Sequence, residues 1–301
     1  GRLVDGHVVE QRHQLGLAPR AREPAVVVVE AARPDVPHAA SHAAQQERLA
    51  GRAEVEACRA VEQGSEELQL RRRGLAFDAV PPRARFATPM TNNPMLAKEV
   101  NDPEGVPISA IIFGGRRADT MPLVYQAFNW IRGVYVGATM GSEMTAAAVG
   151  GAGQVRRDPM AMLPFCGYNM GDYFGHWLRM GQKLTSPPQI FRVNWFRMNA
   201  DGKYLWPGFG ENLRVLRWAL GRIHGEIGAA ETPIGHLPHP SGIDVTGLDV
   251  TPDTLRDLLT VDHKGWQEVI AGQKEYFKQY GDRMPKELWQ QCEALEKRLQ
   301  A

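Results

Sequence analysis

The sequence predicts an α/β fold, with helices and strands mixed (α+β), from residue 84 to residue 301. Two short apolar runs, Val106–Phe113 and Ile190–Phe196, have the length and the β-branched or aromatic content of buried strands. Apolar residues recur at helical spacing from Val215 to Ile223 and again near the C-terminus. Strand-like and helix-like segments therefore alternate in this part of the chain.

Residues 1–83 differ in composition, and no fold is predicted for them. They lack Lys, Met, Asn, Ile, Thr, Tyr and Trp, Phe77 is their only aromatic residue, and their 12 Arg balance 12 Asp and Glu. A folded domain of this composition would be unusual. Two interpretations stay open: a GC-rich frame translated out of register and joined to the genuine frame near Pro82, or a disordered or weakly helical extension. Within the segment, Ala25–Val29 resembles a short strand and 41–70 a helix.

The composition of the whole chain limits its partners and its compartment. The formal net charge of +1 gives no reason to expect a nucleic acid as partner. The cysteines Cys58, Cys166 and Cys292 are odd in number and form no C-x-x-C pair, which favours a reducing cytoplasm over a disulfide scaffold. No apolar run has membrane-spanning length, and the first residues lack a signal-peptide pattern. We therefore expect a cytoplasmic protein that binds no membrane. A monomer is expected as well, although composition does not determine it.

The strand Val106–Phe113 ends in Gly114-Gly115-Arg116-Arg117. The glycines let the backbone turn, and two guanidinium groups beside such a turn suit an oxyanion or a phosphate. A structural ion pair is the alternative for either arginine. Farther along, Leu123–Trp130 is a short amphipathic piece and Val134–Thr139 is predicted to be another strand. Residues 141–153 are mostly small, which indicates either a plain surface loop or a partly helical lid that orders over substrate.

The stretch 194–212 is the most informative part of the sequence. Its five aromatic residues are interrupted by the turn-forming run Pro207-Gly208-Phe209-Gly210. Such a pattern taken alone is more often ordinary core than a site. Here the Pro and Gly residues favour rings held on turns, which make walls for a flat ligand. Asn212 falls near the N-terminus of the predicted helix Val215–Ile223, where its amide could read a ligand edge.

The C-terminal region is predicted to be helical. Thr251-Pro252-Asp253 has the residues of an N-cap and first turn. A helix is expected near 262–280, and another from Pro285 with one apolar face. That face is formed by Leu288, Trp289, Cys292, Leu295 and Leu299.

From about residue 84 to the C-terminus, the chain resembles GTP-dependent phosphoenolpyruvate carboxykinase, specifically the C-terminal part of its catalytic domain. Motifs in the family's order carry the resemblance. They are Gly105-Val106-Pro107-Ile108 with Ile112-Phe113-Gly114-Gly115-Arg116-Arg117, Arg157-Asp158-Pro159-Met160-Ala161-Met162 with Pro164-Phe165 and Gly167-Tyr168-Asn169, and Asn194-Trp195-Phe196 with Phe209-Gly210-Glu211-Asn212.

The resemblance implies an activity. The family converts oxaloacetate and GTP reversibly into phosphoenolpyruvate, carbon dioxide and GDP, a step of gluconeogenesis. It is a carboxy-lyase reaction with phosphoryl transfer, and it uses Mn²⁺ and a second divalent ion, Mg²⁺, that is carried with the nucleotide. GTP or GDP and oxaloacetate or phosphoenolpyruvate are therefore the implied partners.

The same resemblance assigns site residues. The implied guanine pocket is lined by Phe196, Tyr204 and Phe209, and the base is read by Gly210, Glu211 and Asn212. Arg116 would face the phosphates, and Arg85 would lie between nucleotide and carboxylate substrate. The implied lid consists of Met144, Thr145, Ala146, Ala147, Ala148, Val149 and Gly150. Tyr204 stands where the family usually has Phe, and Val149 replaces an acidic residue common there.

Other parts of the family's site have no counterpart in the sequence. No stretch of the 301 residues matches the phosphate-loop form G-x-x-x-x-G-K-[ST]. The family's Lys, His and Asp metal ligands belong before Ala84, and Arg83 stands where the family usually has Asn. No catalytic residue and no metal ligand is therefore assigned, and we expect little or no activity from the isolated chain.

Three alternatives to an active enzyme stay open. The chain could be a guanine-nucleotide-binding remnant without catalysis. The aromatic rings with Arg192 and Arg197 could bind single-stranded RNA, although the near-neutral charge argues against this. The isolated chain could also fail to fold stably.

Overall fold

The computed structural model describes residues 89–92, 94, 96–144 and 153–300, and the backbone of 25–30. The chain divides into two compact units, Asp35–Gly105 and the combination of Gly1–Pro34 with Val106–Ala301. In the described part of the first unit there are two 3-10 helices, Met90–Asn92 and Lys98–Asn101. The second unit contains the other described elements.

The second unit is built on a six-stranded sheet. Its strands are β1 (Ala25–Glu30), β2 (Ile108–Gly114), β3 (Val124–Gln126), β6 (Gln189–Val193), β7 (Ala230–Glu231) and β8 (His236–Leu237), in the spatial order β1-β2-β6-β3-β8-β7. Strands β1, β2 and β6 run parallel, whereas β3 is antiparallel to β6 and β8, and β7 is antiparallel to β8. A separate antiparallel ribbon pairs β4 (Gly141–Glu143) with β5 (Val155–Arg157).

Six α-helices belong to the described part of this unit. They are α1 (Trp130–Ala138), α2 (Met170–Lys183), α3 (Asn212–Ile223), α4 (Pro252–Leu259), α5 (His263–Lys278) and α6 (Lys286–Gln300). The predicted cap of α4 is confirmed, since the Thr251 hydroxyl accepts a hydrogen bond from the Thr254 N–H at 3.1 Å. Within the described residues, no helix combines the length and apolar character needed to cross a bilayer.

The sheet separates two hydrophobic cores. Side chains of β2 alternate between them, with Ile111 and Phe113 in the first core and Ala110 and Ile112 in the second. The first core is closed by α1, α2, α5 and α6, and the second by α3 and α4. Helices on both faces of the sheet confirm the predicted mixed α/β fold.

The main strand and helix predictions are confirmed with shifted ends. The predicted strands at 106–113 and 190–196 are β2 and β6, and the strand predicted at 25–29 is β1. The predicted helix at 41–70 lies outside the described residues.

One predicted element is wrong. The sequence predicts a strand at Val134–Thr139, but this segment forms the second half of α1 and its C-cap. Asn129 caps the start of the helix, since its side chain accepts a hydrogen bond from the Arg132 N–H at 2.9 Å. Residues 132–138 of α1 are all buried. An apolar segment buried on every side loses its helical periodicity, so β-branched content alone misleads.

Gly133 sets how closely α1 lies on β6. A Cβ atom at this position would lie 2.6 Å from Ile190 Cβ, a distance that the strand cannot accommodate without shifting. In α2, a Cβ at Gly175 would first meet the flexible end of Arg179, at 3.2 Å. These two helical glycines therefore differ in what lies beside them.

We expect Gly133→Ala to lower the free energy of unfolding by about 1–3 kcal/mol because it overpacks the helix against the strand. Gly175→Ala is the matched control, and its better helix propensity should leave stability unchanged or raise it by up to about 1 kcal/mol. Urea unfolding of both variants measures the difference. Equal effects of the two substitutions would contradict this account of α1 packing.

Candidate functional site

The candidate site begins where β2 and β6 end. These strands are parallel, and their last residues, Gly114 and Val193, lie opposite each other. The segments 115–121 and 194–212 therefore leave the sheet side by side. In open α/β sheets, ligands bind outside the carboxyl ends of parallel strands. The segments that the sequence singled out thus emerge at the edge where a site is expected.

The side chain of Asn194 ties the two segments together. Its Oδ1 accepts hydrogen bonds from the N–H groups of Arg117 and Phe196, both at 3.2 Å. Its Nδ2 donates to the carbonyl oxygens of Arg117 at 2.9 Å and Met121 at 3.0 Å. The residue is 1% exposed, so these bonds have no competition from bulk water. The amide uses all four of its hydrogen-bonding positions.

Arg116 is held over an aromatic ring. Its N–H donates to Ser142 Oγ at 3.1 Å, and its carbonyl oxygen accepts from the Glu143 N–H at 2.9 Å, so β4 fixes the backbone. The guanidinium carbon lies 4.7 Å from the centroid of Phe196, which is cation–π distance. Within the described residues, its Nε is buried without a hydrogen-bond partner.

A short hairpin brings Tyr204 beside Phe196. The Leu205 N–H donates to the Arg197 carbonyl oxygen at 2.8 Å, and Met198 pairs with Tyr204 in an antiparallel bridge. The ring centroids of Phe196 and Tyr204 are 5.9 Å apart with an interplanar angle of 73°. The two rings therefore form a corner rather than a parallel sandwich.

Trp206 fixes the orientation of Asn212. The indole is 1% exposed, and its Nε1–H donates to Asn212 Oδ1 at 2.9 Å. An indole N–H is only a donor, so the facing atom of the amide must be its oxygen. The NH₂ group of Asn212 has no hydrogen-bond partner in the described part of the chain. As predicted, Asn212 stands at the start of a helix, α3.

Phe209 is placed differently from the other two predicted rings. Its side chain is 96% exposed and contacts no ring among the described residues. Its φ of +48° follows Gly208 with φ of +78°, so the turn holds it in a left-handed conformation that is uncommon outside glycine. Gly210 is exposed beside it, and the Glu211 carboxylate accepts from Arg214 Nε at 2.5 Å. The structure thus gathers Arg116, Phe196 and Tyr204, while Phe209 points into solvent.

Some predicted site residues lie outside the described residues. These are Arg85 and, of the predicted lid, Thr145, Ala146, Ala147, Ala148, Val149 and Gly150. Met144 is described, and its N–H donates to the Gln154 carbonyl oxygen at 2.9 Å, which extends the β4–β5 ribbon. The described flanks of the predicted lid are therefore hydrogen-bonded to each other.

Sequence reasoning missed the residues that support the site. By sequence, Ser142 and Glu143 are only part of a small-residue loop, yet Glu143 Oε1 accepts from the Ala118 N–H at 2.9 Å and lies 3.4 Å from Arg117 Nε. Asn194 stands in a family motif but has no predicted role. A short polar side chain directly after a buried strand was the available signal.

The described residues provide no metal centre. Residues 89–92, 94, 96–144 and 153–300 contain no cluster of three or more His, Cys, Asp or Glu side chains suited to an ion. The described part of the chain therefore offers no such cluster for the Mn²⁺ and Mg²⁺ implied by resemblance. None of its side chains is assigned a step that passes through a metal.

Comparison with known proteins gives one family. The family model described as phosphoenolpyruvate carboxykinase C-terminal P-loop domain matches residues 65–298 of this chain. The phosphoenolpyruvate carboxykinase [GTP] of Anaeromyxobacter dehalogenans (strain 2CP-1) is 51% identical over 230 residues, which cover 76% of this chain and 39% of that protein. The protein of that name from Thermoplasma volcanium is 48% identical over 218 residues, 72% of this chain and 36% of its own length. The chain thus spans about two fifths of the length of these relatives.

Asn194→Ala is expected to destabilise the fold by about 3 kcal/mol, because it leaves the buried polar groups of Arg117 and Met121 without partners. Asn199→Ala is the matched control. Asn199 Oδ1 accepts from two backbone N–H groups in an exposed turn, where water can replace it, so we expect a loss below about 1 kcal/mol. Urea unfolding measures both. A small loss of stability in Asn194→Ala would show that the hydrogen bonds of Asn194 are not needed to hold the segments 115–121 and 194–212 together.

Proposed function

The chain belongs to the family of GTP-dependent phosphoenolpyruvate carboxykinases, and on that basis we propose that it carries the guanine-binding side of a carboxykinase active site. The observation that carries the proposal is the guanidinium of Arg116 over Phe196, with Tyr204 at 5.9 Å from that ring. A cation and two rings meet at the carboxyl edge of the sheet. This combination suits a ligand that is both flat and anionic, as a nucleotide is.

We propose that this site serves the conversion of oxaloacetate and GTP into phosphoenolpyruvate, carbon dioxide and GDP. Phosphoryl transfer depends mostly on positioning and on cations at the phosphates. Arg116 is proposed to supply one such cation, held in place by β4 and by the ring below it. Arg85 is proposed to lie between nucleotide and carboxylate, and residues 144–150 to exclude water as a lid.

Base stacking is proposed to use the exposed ring faces. Tyr204 is 55% and Phe209 96% exposed, so both have surface left for a ligand. Stacking of a base on an aromatic side chain contributes about 1–3 kcal/mol. Phe196 and Tyr204 form a corner, and Phe209 would have to close onto the base to complete a pocket.

The fixed amide of Asn212 supports guanine over adenine. The bond from Trp206 to Oδ1 fixes the orientation of the amide, so its NH₂ group, which makes no other hydrogen bond among the described residues, is the part left to donate to a base. Guanine carries the acceptor O6 where adenine carries a donor amino group. An amide locked in this orientation therefore complements guanine and opposes adenine at that position.

The metal ions, the cellular compartment and the oligomeric state complete the proposal. We propose that the Mn²⁺ and Mg²⁺ of the reaction are held by residues other than the described ones, and that the protein is a cytoplasmic monomer. A guanine-nucleotide-binding chain without catalysis is the second candidate. It is favoured by the sequence, which contains no match to G-x-x-x-x-G-K-[ST].

Asn212→Asp is expected to weaken GDP binding about tenfold or more. The carboxylate still accepts from Trp206 but cannot donate to the base, and a lost base contact costs about 1–3 kcal/mol. Asn199→Asp, at an exposed turn where only acceptors are used, is the control and should bind as the unaltered chain does. Titration with GDP and with ADP, followed by tryptophan fluorescence, measures both. Undiminished GDP affinity in Asn212→Asp, or equal affinity of the unaltered chain for ADP, would refute the proposed reading of the base.

In a coupled carboxykinase assay with GTP and Mn²⁺, the isolated 301-residue chain is expected to show no turnover above background, even at high concentration. Turnover by this chain would contradict the expectation and exclude the non-catalytic candidate. GDP binding without turnover is the result expected of a chain that carries only part of the active site.

A further inference from the structure

A small polar cavity lies on the first-core side of the sheet. Its volume is about 20 Å³, and it lies between α1, β6, α5 and the β4–β5 ribbon. Its charged lining consists of Arg117, Arg132, Arg157 and Arg192. Apolar side chains such as Met121 and Met140 complete the wall. The cavity therefore collects four guanidinium groups within a hydrophobic core.

The carboxylates that could offset these charges are few. No Asp or Glu lines the cavity among the described residues. In the same part of the chain, Arg117 has Glu143 at 3.4 Å and the exposed Asp119 at 3.6 Å. The other three arginines donate to neutral carbonyl oxygens, namely Arg132 to Ile234, Arg157 to Thr139 and Arg192 to Gly141. Positive charge thus exceeds negative charge around the cavity.

Several donors on residues that line the cavity have no hydrogen-bond partner among the described residues. Arg132 Nη1, Arg192 Nη1 and Trp266 Nε1 are buried and make no hydrogen bond within the described part of the chain. Arg132 is 1% and Arg192 is 4% exposed. Buried donors without partners are costly, and most in native proteins have a protein group, a water or an ion opposite them. All three belong to residues that line the same cavity.

Arg192 occupies a position where an apolar residue would be expected. On β6, Ile190 belongs to the first core and Phe191 to the second, so alternation directs Arg192 toward the first core. Burial, together with repulsion from Arg117 and Arg157, lowers the pKa of Arg192 to about 10 against the opposing effect of Tyr125. Its surroundings therefore favour any ligand that brings a negative charge.

We propose that this cavity binds a single monatomic anion of chloride size, held by Arg132, Arg192 and the Trp266 indole. One water molecule needs about 10–15 Å³, so a volume of about 20 Å³ has room for one small ion and favours it over phosphate, sulfate or a carboxylic acid. The ion supplies the missing charge and accepts from the free donors. The site is distinct from the cation–π pair of Arg116 and Phe196, and the proposal does not depend on nucleotide binding.

The cavity adjoins the candidate nucleotide site through the backbone. Arg117 lines the cavity, and its neighbour Arg116 lies over Phe196. The turn at Gly115 passes so close to Arg192 that a Cβ there would be 2.9 Å from Arg192 Nη2. An ion that holds Arg192 therefore steadies the wall against which this turn packs.

Thermal unfolding of the full chain at constant ionic strength tests the proposal. Replacing sodium gluconate by sodium bromide or chloride should raise the midpoint in a saturable way, by about 3–6 °C when the concentration is far above the dissociation constant. Sulfate, which stabilises proteins in general, is larger than the proposed monatomic ion and should show no saturable rise. Equal midpoints in bromide and gluconate would overturn the proposal and assign the cavity to water.

Arg192→Met should abolish the bromide-dependent rise, whereas Arg256→Met should retain it because that side chain is 67% exposed on α4. A rise that persists in Arg192→Met would overturn the proposal. If Arg192→Met does not fold, anomalous diffraction from bromide-containing crystals of the unaltered chain decides the matter. A peak among Arg132, Arg192 and Trp266 supports the site, and density without anomalous signal overturns it.

Discussion

The four hydrogen bonds of the Asn194 side chain are the constraint on which the candidate site depends. Parallel pairing of β2 and β6 delivers two segments to one edge of the sheet, but strand pairing ends at Gly114 and Val193. Beyond that point, Asn194 holds the two segments together, because its amide forms hydrogen bonds with the backbone of Arg117 and Met121. The Arg116 guanidinium and the Tyr204 ring are both attached to segments that this residue holds.

The turn after β2 contains two arginines, Arg116 and Arg117, whose side chains point to different parts of the molecule. Arg116 leaves it toward the Phe196 ring, and Arg117 leaves it toward the cavity between α1 and β6. Both sit on backbone that β4 and Asn194 fix from either side. A Gly-Gly-Arg-Arg sequence therefore does more than present two charges to one ligand. It places one charge at the edge of the sheet and the other within the core.

Much of the fold could be predicted from the sequence, because β2 and β6 are short apolar runs, α3 and α6 show helical spacing of apolar residues, and α4 begins with a capping residue. Helix α1 could not, since a helix buried on every side has no polar face to mark its period. Arg116, Phe196, Tyr204 and Asn212 could be singled out by residue type and by family resemblance. The hydrogen bonds between Asn194 and Arg117 could not be predicted, because they join positions 77 apart in sequence. The burial of Arg117, Arg132 and Arg192 was not predicted either, since arginine alone predicts a surface residue.

The bond from the Trp206 indole to Asn212 has a consequence for how selectivity would respond to acidity. Neither an indole nor a carboxamide gains or loses a proton in the physiological range, in contrast to histidine. The amide therefore keeps its oxygen toward Trp206 and its NH₂ group as a donor at acidic and at alkaline pH. The choice of base that we propose for this amide would therefore not change with pH, even where substrates and other side chains change their charge.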